Sequence, residues 1–458
     1  MVGLDALVVT TALTTIHRDL GAPIEALEWT VNAYTLSFAV LLIPAAALGD
    51  RFGRRRILIM GLMLFVLAST ACALAPNIGW LIAARAFQGS GAALVLPLAL
   101  TQVSVAFPPE QRGRALGIFS GVTGLSNIAG PLVGGAIAQG LAWQWIFWIN
   151  VPLGLVVIAL TTNRMQESFG PRTALDLRGL LLVTGAAFGL VWGLVRGNGA
   201  GWGSLEVVAT LTAGVVLGIA FVAWEQRARA PMVPMHFFRS RAFSAGNAAQ
   251  FLLSTAVFGT VFFMAQFLQT AQGYGPLGAG LRMLPWTATL FVTAPIAGAL
   301  VNRVGERSLI AGGLLLQAVG MAWLALIAAP DRSYAAFIVP MIVAGFGVSL
   351  AIPSTQNAII NAVAAGNIGK ASGTFSMVRQ LGGAFGVAIL AAAFAEVGSI
   401  TTARGFSNGF AAAMGVSAAL SLLGAMAGLI LPGRPARPAR EAEARESEAA
   451  SVLEQSPL

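Results

Sequence analysis

Long apolar blocks, divided by short polar punctuation, constrain this chain more than any other feature. They run at about 1–16, 29–49, 57–75, 80–104, 115–138, 143–162, 178–196, 205–225, 243–268, 280–301, 308–329, 334–360, 371–395 and 409–431, fourteen in all. A helix rising 1.5 Å per residue needs roughly 20 residues to cross about 30 Å of hydrocarbon, and most of these blocks have that length. Strands of a membrane barrel alternate apolar and polar residues over about 10 positions, and these blocks do not alternate. Charged residues make up only 10% of the chain, against about 25% in soluble domains. The pattern predicts an all-α polytopic membrane protein of fourteen spans.

A net charge of +9 on a soluble chain would suggest a nucleic-acid partner, but here the positive residues sit in separate short connections, and no nucleic acid is expected. Cys72 is the lone cysteine and lies inside an apolar block, so neither an intrachain disulfide nor a metal cluster is suggested. His17 and His236 fall in distant connections. There is no phosphate-binding Gly-rich loop ending in Lys-Ser/Thr. The stretch "GYGPLG" (273–278) has dinucleotide-loop spacing but lies between apolar blocks with no preceding strand, so it reads as a turn. The chain is therefore not read as an enzyme, and no cofactor is expected. The first residues lack the charged region and cleavage site of a signal peptide. Block 1–16 is short for a crossing, which raises the expectation of a start further upstream. Residues 432–458, rich in Pro, Ala, Arg and Glu, read as a disordered tail.

Orientation follows from arginine and lysine. With the N-terminus inside, the inner connections and tail hold 20 of them and the outer connections only 4, namely Arg18, Arg196, Arg332 and Arg404. Both termini are expected in the cytoplasm and the protein in the plasma (inner) membrane. Arg85, Arg282 and Arg379 fall inside blocks.

The sequence also repeats itself. "ALGDRFGRRRIL" (47–58) resembles "ALVNRVGERSLI" (299–310), with Arg51, Gly53 and Arg55 in register with Arg303, Gly305 and Arg307. "FQGSGAALVLP" (87–97) resembles "VAGFGVSLAIP" (343–353), and at that offset Arg114 falls on Lys370 and Gly117 on Gly373. The expected organisation is a six-span bundle at 1–162, two additional spans with their loops at 163–242, and a second six-span bundle at 243–431. Parallel halves around a central site are a transporter architecture.

Several residues break the apolar pattern in informative ways. In the inner loop "GDRFGRRR" (49–56), Gly53 permits a tight reversal. Asp50 either caps the next helix or pairs with an arginine, and Arg51, Arg54 and Arg55 read either as plain inner-loop charge or as a latch remade between conformations. Arg85 sits in the outer third of the fourth block, where an unpaired cation costs several kcal/mol. It either lifts its guanidinium to the surface or faces a hydrated cavity and pairs with a carboxylate. Gln88 shares its helical face. Asp5 is the one acidic residue read as deep, whereas Glu28, Glu225 and Glu396 fall at block edges. Desolvation favours a neutral carboxyl and a nearby guanidinium favours the ionised one. A carboxylate whose arginine contact comes and goes would therefore take up and release a proton in step with a conformational change. In "SNIAGPLVGGAIA" (126–138), Ser126, Gly130, Gly134 and Ala138 recur every four residues, with Gly135 adjoining, and form a face for close helix packing. Pro131 should bend that helix. Arg379 and Gln380 stand well inside the thirteenth block and, with Gln88, are candidate cavity-lining residues; the aromatics Phe262 and Phe263 are weaker ones.

These stretches resemble the major facilitator superfamily (MFS), and within it the fourteen-span drug:proton antiporters. "LGDRFGRRR" (48–56) is similar to the family's inner-loop signature, with Ala46 in place of a leading glycine. "RAFQGSGAA" (85–93) matches the span-four motif. "SNIAGPLVGG" (126–135) resembles the span-five antiporter motif, with Ser126 for its first glycine. "LDALVVTTALT" (4–14) resembles the span-one motif, departing at Leu7, Thr10 and Thr14, and "WQWIFWINVPLG" (143–154) resembles the start of span six. The resemblance implies an MFS fold of two six-helix bundles with two extra central helices. It implies export of amphipathic small molecules against protons by alternating access, powered by the proton gradient. Asp5 and Arg85 would couple protons, Gly130, Pro131, Gly134 and Gly135 would form the hinge, and Asp50, Arg51, Gly53, Arg54 and Arg55 would gate. The expected partners are the substrate, protons and the lipid bilayer, with the chain a monomer. Export of an endogenous metabolite or self-made antibiotic, uptake by symport, and a non-transporting membrane sensor remain alternatives.

Overall fold

The computed structural model describes residues 1–106, 109–170, 175–289, 293, 304–364 and 367–433. Every regular element among them is helical. The order is α1 (Val2–Leu20), α2 (Ile24–Phe52), α3 (Arg54–Ala73), α4 (Ile78–Ala106), α5 (Pro109–Gly140), α6 (Trp145–Trp148), α7 (Asn150–Arg164), α8 (Leu177–Ala200) and α9 (Leu205–Glu225). After a 3₁₀ turn at Met235–Arg239 come α10 (Arg241–Thr270), α11 (Pro276–Arg282), α12 (Leu284–Thr287), α13 (Glu306–Ile327), α14 (Ala335–Asn361), α15 (Ile368–Val397) and α16 (Ala403–Leu429).

Eleven helices among the described residues are long and apolar enough to cross a membrane, where the sequence pattern gave fourteen blocks. Block 1–16 forms α1 and block 115–138 lies in α5, while block 280–301 begins in α11 and α12 and continues outside the described residues. Arg303 and the tail beyond residue 433 also lie outside them.

Local chemistry explains where many helices begin. The side chains of Asp176, Ser204, Ser240 and Thr402 accept hydrogen bonds from the first-turn amides of α8, α9, α10 and α16, satisfying donors that a helix leaves open. Gly53 joins α2 to α3 at φ 106°, and Gly305, its partner in the sequence repeat, precedes α13 at φ 89°. Both turns need a backbone that L side chains rarely adopt.

The repeat continues in the packing. Gly91 of α4 lies against the α3 backbone at Gly61 and Phe65, and Gly347 of α14 lies against the α13 backbone at Gly313 and Gln317. Gly89 meets Tyr34 of α2, whereas Gly345 meets Trp286 of α12. At each crossing a Cβ would collide with the neighbouring helix, so small residues set the approach of the backbones.

Exposure separates central from peripheral helices. Twenty of the 30 residues of α10 are buried, which makes it a core helix. Helix α9 buries only Val207, Gly214, Phe221 and Glu225 and presents residues such as Leu205 and Ile219 outward. An apolar surface of that extent suits hydrocarbon rather than water. Phe262 and Phe263 are fully buried, with Phe263 stacked on Phe394 at 4.9 Å. They pack the core rather than line a binding site. One continuous core cluster runs from Val8 and Ile16 of α1 to Phe267, Phe337 and Phe410, joining the two ends of the sequence.

Candidate functional site

Arg85 of α4 enters a fully enclosed space between α1, α2, α3 and α7. Its Nη1 donates to Asp5 Oδ2 of α1 at 2.6 Å, and neither side chain has any exposed surface. The same Nη1 donates to Gln88 Oε1 at 2.7 Å, and Nε donates to the Thr30 carbonyl of α2 at 3.0 Å. The guanidinium carbon lies 4.2 Å from the centre of the Tyr34 ring, an added electrostatic contact for the cation. Asp5 Oδ1 accepts from Gln88 Nε2 at 2.9 Å and from Asn150 Nδ2 of α7 at 2.7 Å. Gln88 Nε2 also donates to Ser69 Oγ of α3 at 2.7 Å. A buried ion pair holds together only when its remaining valences are met in this way. Two polar atoms of the network, Arg85 Nη2 and Asn150 Oδ1, have no hydrogen-bond partner among the described residues.

The surface-seeking alternative for Arg85 is thus excluded: its side chain turns inward. Gln88 differs from its expected place. Three residues beyond Arg85 on α4, it is enclosed within the network rather than lining a cavity, because the i,i+3 spacing puts its amide against both members of the pair. Asn150, Ser69 and Tyr34 were not singled out by sequence reasoning. For Asn150 a signal exists, since it is the one amide in the otherwise apolar "WIFWINVPLG". Two further carboxylates are enclosed by protein, although both stand near helix ends. Glu28 is 3% exposed with Oε2 unpartnered among the described residues, and Glu225, although at a helix end, is 2% exposed. Glu225 accepts from the Val233 amide at 3.0 Å. The segment after α9 covers Glu225 through that amide.

The small face of α5 packs directly beside Asp5. A Cβ at Gly130 would press on Leu7 Cβ and the Leu4 carbonyl, and one at Gly134 would collide with the Val8 carbonyl and Thr11 of α1. Gly135 faces Pro276 of α11, and Gly280 of α11 faces the Pro131 carbonyl. Helix α5 is therefore clamped between the Asp5 helix and the second half of the chain. Gln269 of α10 donates to the Thr11 carbonyl at 3.1 Å and accepts from Thr14, which strengthens that seam.

At the junction of α2 and α3, Asp50 in the last turn of α2 pairs with Arg54, the first residue of α3, at 2.7 Å and does not cap α3. Glu167, which follows α7, takes that place: its carboxylate accepts from the amides of Arg55 (2.8 Å) and Arg56 (3.2 Å) beside Gly53. A carboxylate there complements the helix dipole. Arg55 Nη1 donates to the Met165 carbonyl at 3.0 Å, and the Gly170 amide donates to the Asp50 carbonyl at 3.1 Å. Arg51 is exposed and lies over Phe52, 5.2 Å from its ring centre, outside this lock. Arg379 of α15 is half-buried and makes no hydrogen bond or ion pair among the described residues; Gln380 beside it is buried. No cluster of three or more metal-ligating side chains occurs among the described residues.

Known proteins resemble this chain over most of its length. The sequence model described as Major Facilitator Superfamily matches residues 1–387 and again 246–457. The tetracenomycin C resistance and export protein of Streptomyces glaucescens is 35% identical over 395 residues, covering 85% of this chain and 73% of that protein. The multidrug resistance protein Stp of Mycobacterium tuberculosis is 36% identical over 397 residues, covering 86% and 74%. The cephamycin export protein CmcT of Amycolatopsis lactamdurans is 34% identical over 400 residues, covering 85% and 82%. Among solved structures, a POT family transporter in complex with a thioalcohol-conjugated peptide aligns with a TM-score of 0.69 at 18% identity, covering 92% of this chain and 91% of that one. The human organic anion transporter MFSD10 aligns with a TM-score of 0.59 at 15% identity, covering 93% and 96%. The chain belongs to the Major Facilitator Superfamily and is a multi-pass membrane transporter, not an enzyme.

Proposed function

We propose that the protein is a proton-coupled exporter of amphipathic small molecules, a fourteen-span antiporter of the plasma (inner) membrane with both termini in the cytoplasm. The reading includes the organisation into six, two and six spans. The observation that carries it is the closed Asp5–Arg85 pair, assembled from α1 and α4 with partners on α2, α3 and α7. A proton added to Asp5 removes the negative charge that holds Arg85, and the hydrogen bonds from Gln88 and Asn150 then lose about half of their strength. Helix α1 is freed from α4 while α5 stays packed against it, so the pair and the seam move against each other. Loss of the proton to the other side of the membrane restores the ion pair. Two states biased by one proton are what alternating access requires. The Asp50–Arg54 pair and the Glu167 cap serve as the inner latch. The expected driving force is the proton gradient, with no cofactor, and the expected acting unit is the monomer.

The names of the relatives, which include tetracenomycin C export and cephamycin export, support an export direction and also favour a second reading, a self-made antibiotic as cargo. Everted vesicles carrying a pH-sensitive dye test both. Energised vesicles are challenged with lipophilic drugs and with polyketide and β-lactam antibiotics. The proposal expects substrate-triggered proton release that disappears in Arg85→Ala. Release that persists in Arg85→Ala removes the coupling role of the pair.

A further inference from the structure

A cavity of about 630 Å³ lies between α2, α4 and α8, apart from the Asp5–Arg85 pair, within the range that takes a drug-sized molecule. It belongs to neither six-span half alone, because α8 is one of the two additional spans. At one end three aromatic rings form its wall: Trp29, Phe188 and Trp192 lie 5.5 to 5.6 Å apart, tilted by 35° to 48°. The charged groups lining the cavity are Glu25, Glu206 and Arg196. Glu206 is already engaged, accepting from Trp192 Nε1 at 2.9 Å and Arg196 Nε at 3.2 Å. Glu25 has no hydrogen bond or ion pair among the described residues, so its negative charge is left over. From there the cavity runs along apolar wall past Leu36 to Val40, about 22 Å along α2 at 1.5 Å per residue.

The geometry points to this cavity as a binding site for a lipophilic monocation, its positive group held by Glu25 and the aromatic faces and its apolar body lying against α2 and α4. An unspent carboxylate beside three ring faces attracts an organic cation. The same excess negative charge opposes the phosphate of a phospholipid. The cavity also shares its wall with the proton site. Trp29 adjoins Thr30, whose carbonyl holds Arg85, and Ala83 and Ala86, which flank Arg85 on α4, line the cavity. Where α2 and α4 meet beside it, Gly89 touches the Tyr34 backbone and Ser37, and Ser37 lines the cavity. A molecule that parts these two helices therefore pulls on the Thr30–Arg85 contact. That step rests on the exporter reading above; the site itself does not.

The test uses the purified full chain in detergent and two probes of one shape and opposite charge, tetraphenylphosphonium and tetraphenylborate. The site predicts saturable binding of tetraphenylphosphonium and at least tenfold weaker binding of tetraphenylborate. Glu25→Gln and Trp192→Ala should each weaken tetraphenylphosphonium at least tenfold, Trp192→Phe should retain most of the affinity, and Ala83→Trp should abolish binding by filling the space. Thermal midpoints of the variants separate lost binding from lost fold. Equal binding of the two probes, or unchanged affinity in Glu25→Gln, overturns the proposal. A copurified phospholipid that tetraphenylphosphonium does not displace but that Ala83→Trp loses also overturns it, since the cavity is then a lipid seat. Binding that follows the expected pattern, together with no proton release on adding the probe to vesicles, leaves the site standing and removes the exporter reading.

Discussion

Two arginines stand inside membrane-spanning helices in opposite halves of the chain, and their surroundings have little in common. Arg85 has no exposed surface and is bound to a carboxylate, an amide, a carbonyl and an aromatic face. Arg379 is half-buried with no ion pair or hydrogen bond among the described residues. A cation closed off from water must be matched within the protein, whereas one left partly open can keep its hydration. The first half therefore holds its charge in an enclosed cluster in which the cation faces a carboxylate, and the second holds a half-buried charge with no such partner among the described residues. A group that takes up and gives back a proton needs a partner whose energy depends on that proton. Among the described residues, only the first site offers one.

The strongest way to break this contrast is to remove one member of the sealed pair. Asp5→Asn or Arg85→Ala should each lower stability by about 3–5 kcal/mol, the usual result of stranding one buried charge. The double variant Asp5→Asn/Arg85→Gln should recover much of that loss in thermal unfolding while proton-driven transport stays absent. A recovery of transport in the double variant would detach coupling from the pair.

A second experiment asks whether the seam beside Asp5 is as tightly specified as the pair. Gly134→Leu forces atoms into the Val8 carbonyl and Thr11, and overpacking of this kind costs about 1–3 kcal/mol. Gly130→Ala meets Leu7 Cβ, the Leu4 carbonyl and the Val8 nitrogen at 3.0 to 3.5 Å, so its effect should be smaller. Thermal midpoints in detergent order the two, and equal midpoints would show that α1 and α5 yield freely.

Glu167→Gln removes the carboxylate that closes the start of α3. Its expected cost is about 1 kcal/mol, typical of a lost cap, read as faster hydrogen exchange at the first amides of α3. Arg379→Gln sharpens the comparison directly. With no partner stranded, its stability should change by less than about 1 kcal/mol, and a loss as large as that of Arg85→Ala would reveal a sealed site in the second half. The smallest effect should come from Asp50→Asn. It breaks an i,i+4 pair of a kind worth about 0.3–0.5 kcal/mol, so any large change in transport rate would report on the latch and not on folding.

Much of this was legible in the residues. Block length and the scarcity of charge require helices that cross a membrane, because hydrocarbon leaves backbone groups no other partner. The repeat foretold that Gly53 and Gly305 would occupy equivalent turns, and both have positive φ. The partnership of Asp5 with Arg85 was also open to inference, since a permanent cation at that depth demands a carboxylate and Asp5 is deep enough to supply it. The rest of the cluster was not. Asn150 lies 145 positions from Asp5, and no local period links them. Glu167 reads as one charge in a polar connection, and only the fold brings it to Gly53.

The sequence by itself determined the class of structure and the repeat and narrowed the partner of Arg85 to Asp5, because each rests on length, periodicity or the cost of an isolated charge; that the two do pair was decided by the structure. Tertiary structure alone decided that Gln88 is enclosed, that Glu28 and Glu225 are buried, and that α2, α4 and α8 enclose a cavity. These depend on which helix faces meet, and a helix exposes every face until its neighbours choose one.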